Sequence, residues 1–257
     1  MSAPAGEAPY RDRELPASER VADLLDRMTL PEKTAQLYCF GRAVELTEIL
    51  LDEDGSVLPG KMAELFPHGL CQLGRPSQRS SPRDTARLTR TIQKFLVEET
   101  RLGIPALFNE EGVHGLMATG STSFPQAIAL ASSWDEKLLE EIYTVVAREA
   151  RVRGSNYVYA PVLDLARDPR WGRVEETFGE DPHLVSRLGV AAVRGLQGRG
   201  PGIDEDHVIA CAKHYAVHGQ PEGGLNAGPA SISERVIRVE FLPPFRAAVV
   251  EGGVLAV

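Results

Sequence analysis

Asn156-Tyr157-Val158-Tyr159-Ala160-Pro161-Val162-Leu163-Asp164-Leu165-Ala166-Arg167-Asp168-Pro169-Arg170-Trp171-Gly172-Arg173 joins two kinds of sequence. The first ten residues, Asn156 to Leu165, are rich in apolar and aromatic side chains and read as a buried strand. From Asp164 onward the stretch holds two carboxylates, three arginines, a tryptophan and a glycine. A buried strand that ends in a dense polar cluster is what a barrel enzyme presents at its working face. Trp171 supplies a flat apolar surface and Arg173 a planar fork of donors. That pair suits a sugar, with its apolar ring faces and rim of hydroxyls.

Working outward, the same alternation recurs. Downstream, Asp181-Pro182 opens a helix to about Gln197, and Val208 to Lys213 reads as the next strand. A glycine-rich loop follows it. A helix then spans about Ser233 to Leu242, is interrupted by Pro243-Pro244 and resumes from Phe245 to Glu251. Upstream, strands are expected at Gly69–Leu73, Ile104–Asn109 and Ala127–Ala131. Ser133-Trp134-Asp135-Glu136 reads as a capping box for a helix ending near Gly154. Ser81-Pro82-Arg83-Asp84 opens a helix with Leu88, Ile92, Phe95 and Leu96 at helical spacing, and Thr29-Leu30-Pro31-Glu32 is a second capping box. Val21, Leu24, Leu25 and Met28 mark one face of a helix over 18–28. Alternating strands and helices mean a parallel sheet with helical crossovers. The fold class expected is α/β, a (β/α)8 TIM-type barrel truncated after about six strands, the last beginning at Gly253. Residues 1–18 read as a mobile lead-in and 19–257 as the incomplete barrel domain.

Bulk properties narrow the function. The chain has 257 residues and a formal net charge of -8, which argues against a nucleic-acid partner. No apolar run approaches a membrane span, and the Ala-, Pro- and Glu-rich N-terminus has no signal-like apolar segment, so no membrane association and a cytoplasmic location are expected. Three scattered cysteines, Cys39, Cys71 and Cys211, make no disulfide or zinc pattern. Cys39 and Cys71 lie in apolar sequence and are expected to be buried free thiols. There is no His-Glu-x-x-His, nucleotide fingerprint, phosphate loop or Gly-x-Ser-x-Gly elbow, so no metal and no cofactor is expected. His214 and His218 follow a strand, where a spacing of four gives no common face. A homo-oligomer is compatible with all of this.

The chain resembles the glycoside hydrolase family 3 β-glucosidases and β-xylosidases. The resemblance rests on Asp168-Pro169-Arg170-Trp171-Gly172-Arg173, Met28-Thr29-Leu30-Pro31-Glu32-Lys33, Arg101-Leu102-Gly103-Ile104-Pro105 and Asn109-Glu110-Glu111-Gly112-Val113-His114-Gly115. Phe124-Pro125-Gln126, Gly179-Glu180-Asp181-Pro182, Ala212-Lys213-His214-Tyr215 and Leu242-Pro243-Pro244-Phe245 follow in the family's order. It implies hydrolysis of terminal non-reducing β-D-glycosyl residues by a retaining mechanism, with a β-linked oligosaccharide or glycoside as the partner molecule. It implies that Arg173, Lys213 and His214 bind the innermost sugar, and that Glu111 stands where many relatives carry an aspartate. Glu110 is the competing acid, otherwise a solvated loop residue. Glucose and xylose both stay open.

The resemblance also implies a nucleophilic aspartate in a later Ser-Asp-aromatic motif, which does not occur in these residues, and an acid/base further on. The catalytic set within the chain is therefore expected to be empty. An alternative of another class is a non-catalytic sugar-binding product or an inactive fragment. Asp164, Arg167, Asp168 and Arg170 are expected to form a salt-bridged loop that sets Arg173 in place. Asp181 should cap a helix, with Glu175, Glu176 and Glu180 solvated or paired.

Overall fold

A computed structural model describes residues 8–41, 49–50, 58 and 60–257. Five parallel strands stand in chain order: β1 (Cys39–Phe40), β2 (Gln72–Gly74), β3 (Leu107–Glu111), β4 (Tyr157–Tyr159) and β5 (Ile209–Ala210). Parallel neighbours in strict sequence order make a singly wound sheet, the arrangement of a barrel wall. A doubly wound sheet would reverse its order at a switch point. The sheet is open, and a parallel bridge from Cys211 to Ala256 carries it one step beyond β5. Expectation and structure thus agree on a TIM-barrel-like α/β fold.

The strand count was reached by two compensating errors. Ala127–Ala131 is a helix, not a strand. Its Ala-Ile-Ala-Leu-Ala pattern alternates, but five residues cannot separate a period of 2 from one of 3.6, and alanine has the best helix propensity. Cys39–Phe40, which no pattern marked, is the first strand. The run from Tyr157 to Leu165 is strand only to Tyr159; it then bends, regains one bridge at Val162 to Lys213, and continues buried. The expected strand over 208–213 is likewise two residues long with bridges after it.

Helices cover the outer face. Thr29 and Glu32 form the full reciprocal capping box. Ser81 caps Pro82–Glu98, whose Leu88, Ile92, Phe95 and Leu96 are buried against Leu73 and Phe108. Asp181 caps Pro182–Gln197 by accepting from the Leu184 amide. The helix Glu136–Arg151 is capped by Asp135 rather than by Ser133, whose hydroxyl accepts from the Asp135 amide instead. The helices Glu136–Arg151 and Pro182–Gln197 pack closely at Gly195. A Cβ there would collide with the Glu140 carbonyl and lie 2.7 Å from Tyr143 Cβ. Pro243-Pro244 does not break its helix. A π-helical turn, Ile237–Phe241, widens the coil just ahead, and Leu242–Val250 restarts with the prolines in its first turn, where missing N–H groups are harmless.

From Ala8 the lead-in is tied down: the Tyr10 hydroxyl donates to Leu102 O, and its amide to Asp23. Residues 1–7 lie outside the described residues. The helix Ala17–Arg27 is where expected, but its apolar stripe is not covered; Val21 and Leu25 are exposed. Cys39 is exposed and Cys71 half-buried, so only Cys211 is the buried thiol. Among the described residues, strand β1 stands at the edge of the sheet. No helix among the described residues is long and apolar enough to cross a membrane.

Beside Ala256, the last bridged position of the sheet, Val249, Val250, Leu255 and Val257 are exposed. Apolar patches beside an unpaired edge promote association. The 257-residue chain is expected to self-associate or bind a hydrophobic dye. A single monomeric species in sedimentation velocity, with no dye signal, would contradict this.

Candidate functional site

The side chains singled out by sequence converge at the C-terminal ends of the strands. Glu111 is the last residue of β3, Arg173 lies in the loop after β4, and Lys213 and His214 follow β5. Lys213 Nζ donates to Glu111 Oε2 at 2.6 Å across 102 residues of sequence. Lys213 is fixed by its backbone: its amide donates to Pro161 O, and its carbonyl accepts from the Leu163 amide at 2.6 Å. Tyr159 lies beneath, its ring centroid 5.9 Å from Nζ. Burial, then the nearby Cys39, Cys211 and Glu111, push the Tyr159 phenol up to about 12. Tyr159 is therefore a neutral floor for the ion pair at any ordinary pH.

Arg173 is held from three sides. Its Nε and Nη2 donate to the two oxygens of Glu176, each at 2.6 Å. Nη2 also faces His214 Nε2 at 3.2 Å, and Nη1 faces His218 Nε2 at 3.1 Å. Its hydrogen bonds to Glu176 raise the Arg173 pKa. Burial works against ionisation of Glu176, but the hydrogen bonds and charge of Arg173 outweigh it and hold that carboxyl below its ordinary value. Behind His214, the buried Asp164 accepts from both the His214 amide (3.2 Å) and Nδ1 (2.7 Å).

Several expectations are corrected. Trp171 offers no stacking face: it is 2% exposed, donates from Nε1 to Asn226 Oδ1 at 3.0 Å, and meets the His218 ring edge-on at 5.3 Å. Glu110 is not a solvated loop acid. It is 1% exposed and accepts from the Ser77 amide and the Ser155 hydroxyl. Burial raises its pKa against those bonds. Of the expected salt-bridged loop, Asp168 pairs with Arg170 and Arg167 with Glu240, while Asp164 turns inward to His214. His214 and His218 do share a face: their ring centroids are 4.7 Å apart. His114 is elsewhere, its Nδ1 against Phe124 O.

Sequence reasoning left Glu176 and His218 out of the site. The Arg173-x-x-Glu176 spacing, one turn of helix, was the available signal for the first. Nothing local marked the second. Among the described residues no three of His, Cys, Asp and Glu stand close enough to share a metal ion. Two outer clefts of about 750 and 700 Å³, one beside helix Pro82–Glu98 and one beside Leu242–Val250, share no lining residue with this cluster.

Residues 29–257 match the family described as "Glycosyl hydrolase family 3 N terminal domain". The chain belongs to glycosyl hydrolase family 3. It is 38% identical over 250 residues to a putative β-xylosidase of Formosa agariphila, covering 96% of this chain and 33% of that protein. It is 33% identical over 232 residues to a periplasmic β-glucosidase of Salmonella typhimurium, covering 90% of this chain and 28% of that one. Among solved structures, a β-glucosidase from Erythrobacter marinus superposes with a TM-score of 0.86 at 39% identity, over 97% of this chain and 32% of its own. This family 3 chain thus spans about a third of the length of the relatives it matches.

Proposed function

We propose that this chain binds the terminal non-reducing β-D-glycosyl residue, glucosyl or xylosyl, of a β-linked oligosaccharide or glycoside. It does so within a retaining glycosidase whose nucleophile and acid/base lie outside these 257 residues. The observation that carries the reading is the meeting of Glu111, Lys213, Arg173 and His214 at one end of a barrel sheet. A sugar hydroxyl both donates and accepts. Glu111 supplies acceptor oxygens and Lys213 a charged donor beside it, so one hydroxyl can be held at both its proton and its lone pair. Names of relatives that include both β-xylosidase and β-glucosidase support the substrate class.

A retaining mechanism needs two carboxyl groups about 5–5.5 Å apart, one of them free to attack the anomeric carbon. Each site carboxylate in this chain is already engaged: Glu111 by Lys213, Glu176 by Arg173, Asp164 by His214. This supports a sugar-holding role for residues 19–257, as part of a barrel domain, and a source for the reacting carboxylates elsewhere. A cytoplasmic location belongs to the same proposal. The Salmonella relative is named as periplasmic, and cell fractionation separates the two.

Titration of the purified chain with D-glucose and D-xylose is expected to show saturable binding. Aryl β-glucoside and aryl β-xyloside are expected to go unhydrolysed by the same sample. Turnover well above contaminant controls would place the nucleophile inside these residues; absence of binding to either sugar would remove the sugar-holding role.

A further inference from the structure

We propose that His218 is a positioning residue that, together with His214, clamps Arg173 in its sugar-facing pose by accepting hydrogen bonds through a bare Nε2. This rests on the reading of the site as a sugar subsite, and it names a residue that reading did not need. The argument is an inventory of protons. A guanidinium has five N–H donors and no acceptor. Three of Arg173's donors go to Glu176 and His214, through Nε and both protons of Nη2, and a fourth goes to His218 through Nη1. One N–H on Nη1 remains for a ligand.

Each acceptor's state follows from what it faces. Arg173 can only donate, so the His218 nitrogen in contact with it carries no proton and the ring is neutral through Nδ1–H. For His214, the Asp164 carboxylate accepts, so Nδ1 carries the proton and Nε2 is again bare. Protonating His218 would aim an N–H at an N–H and add positive charge against a guanidinium 3.1 Å away. The groups facing His218 are His214, Asp164, Arg173 and Glu176, with the Trp171 ring edge closing the remaining side. Burial first, then the adjoining His214 ring and the Arg173 charge, hold the His218 pKa below its ordinary value, against the opposing pull of Asp164 and Glu176. The pocket around it is tight. A Cβ on Gly219 would lie 2.6 Å from Leu165 O and 3.3 Å from the Trp171 ring, so the backbone next to His218 is packed closely in place.

The sign follows. With a lowered pKa, His218 stays neutral through pH 7, and the clamp is complete there. As pH falls from the ordinary imidazole value of about 6.5 toward the lowered one, protonation becomes increasingly able to break the contact, and sugar affinity is lost on the acid side.

The test uses the 257-residue chain, with D-glucose and D-xylose as probes and imidazole ¹H–¹⁵N spectra as a readout that needs no ligand. At pH 7.5 the His218 ring should show a bare Nε2 and a protonated Nδ1; a protonated Nε2 overturns the clamp whether or not sugar binds. His218→Gln, which can offer an amide oxygen to Arg173 but cannot titrate, should keep affinity within about 3-fold at pH 7.5 and move the acid-side midpoint to lower pH. His218→Leu should lower affinity by about 10-fold or more at pH 7.5, the loss of a hydrogen bond to a charged group, with its melting temperature recorded alongside. Affinity of His218→Leu equal to wild type, or an unmoved midpoint in His218→Gln, overturns the proposal. If wild type binds neither sugar at any pH, the subsite reading fails, and the nitrogen shifts still decide the clamp.

Discussion

Arg173→Ala and Lys213→Ala are each expected to lower kcat/KM on an aryl β-glycoside by at least about 100-fold, measured on an active glycosidase that contains this chain. Each substitution removes a charged donor and also strands its partner: Glu176 loses both its bonds from Arg173, and Glu111 loses Lys213. Arg173→Lys should recover little, because an ammonium cannot make the two parallel bonds to Glu176 or span the two histidines. Glu110 is the control. Glu110→Ala should leave the chemistry closer to wild type than Glu111→Ala does, and should show itself in the melting temperature. Its removal leaves the Ser77 amide and Ser155 hydroxyl without a partner. Equal kinetic damage at 110 and 111, or near-normal activity of the Arg173 variant, would show that the pocket has been misassigned.

Trp171→Ala is expected to destabilise the fold by about 3–5 kcal/mol, the range for truncating a buried aromatic. Trp171 is 2% exposed, bonded to Asn226, and packed edge-on to His218. Its loss opens a void between the loop after β4 and the loop after β5, the two segments that bring Arg173 and His214 together. Chemical denaturation reads the effect. Trp171→Phe, which keeps most of the ring and loses only the bond to Asn226, should cost about 1–2 kcal/mol. A Trp171→Ala protein as stable as wild type, with weakened sugar binding, would restore the stacking role that burial argues against.

The barrel-type fold was legible because its signals are local and repeated. Caps at Thr29, Ser81 and Asp181, and the apolar spacing in Pro82–Glu98, depend on a few neighbouring residues each. Ala127–Ala131 and Cys39–Phe40 were misread for the opposite reason. Each is too short to show a period, and its state is set by what it packs on; the Ala127–Ala131 helix lies against the turn after Arg173. At the site, Glu111, Arg173, Lys213 and His214 were named by resemblance, and the structure brings them together at the C-terminal end of the sheet. Trp171 was misjudged because composition says what a ring can do and nothing about which way it faces. Glu176 looked like one acid in a solvated run, and His218 like a bystander. The first pairs locally, three residues from Arg173, and only the second needs two loops 45 residues apart to meet.

Glu110 and Glu111 sit side by side in β3, one pinned among Ser77 and Ser155, the other against Lys213. Successive residues of a strand face opposite ways. The two acids are therefore chemically alike and interchangeable in composition, yet assigned to different jobs by parity alone. Inserting one residue before Glu110 would reverse their facing: Glu110 would take the register that meets Lys213, and Glu111 would turn to the opposite face. The five residues Leu107–Glu111 are therefore held to their number as well as to the two acids at their end.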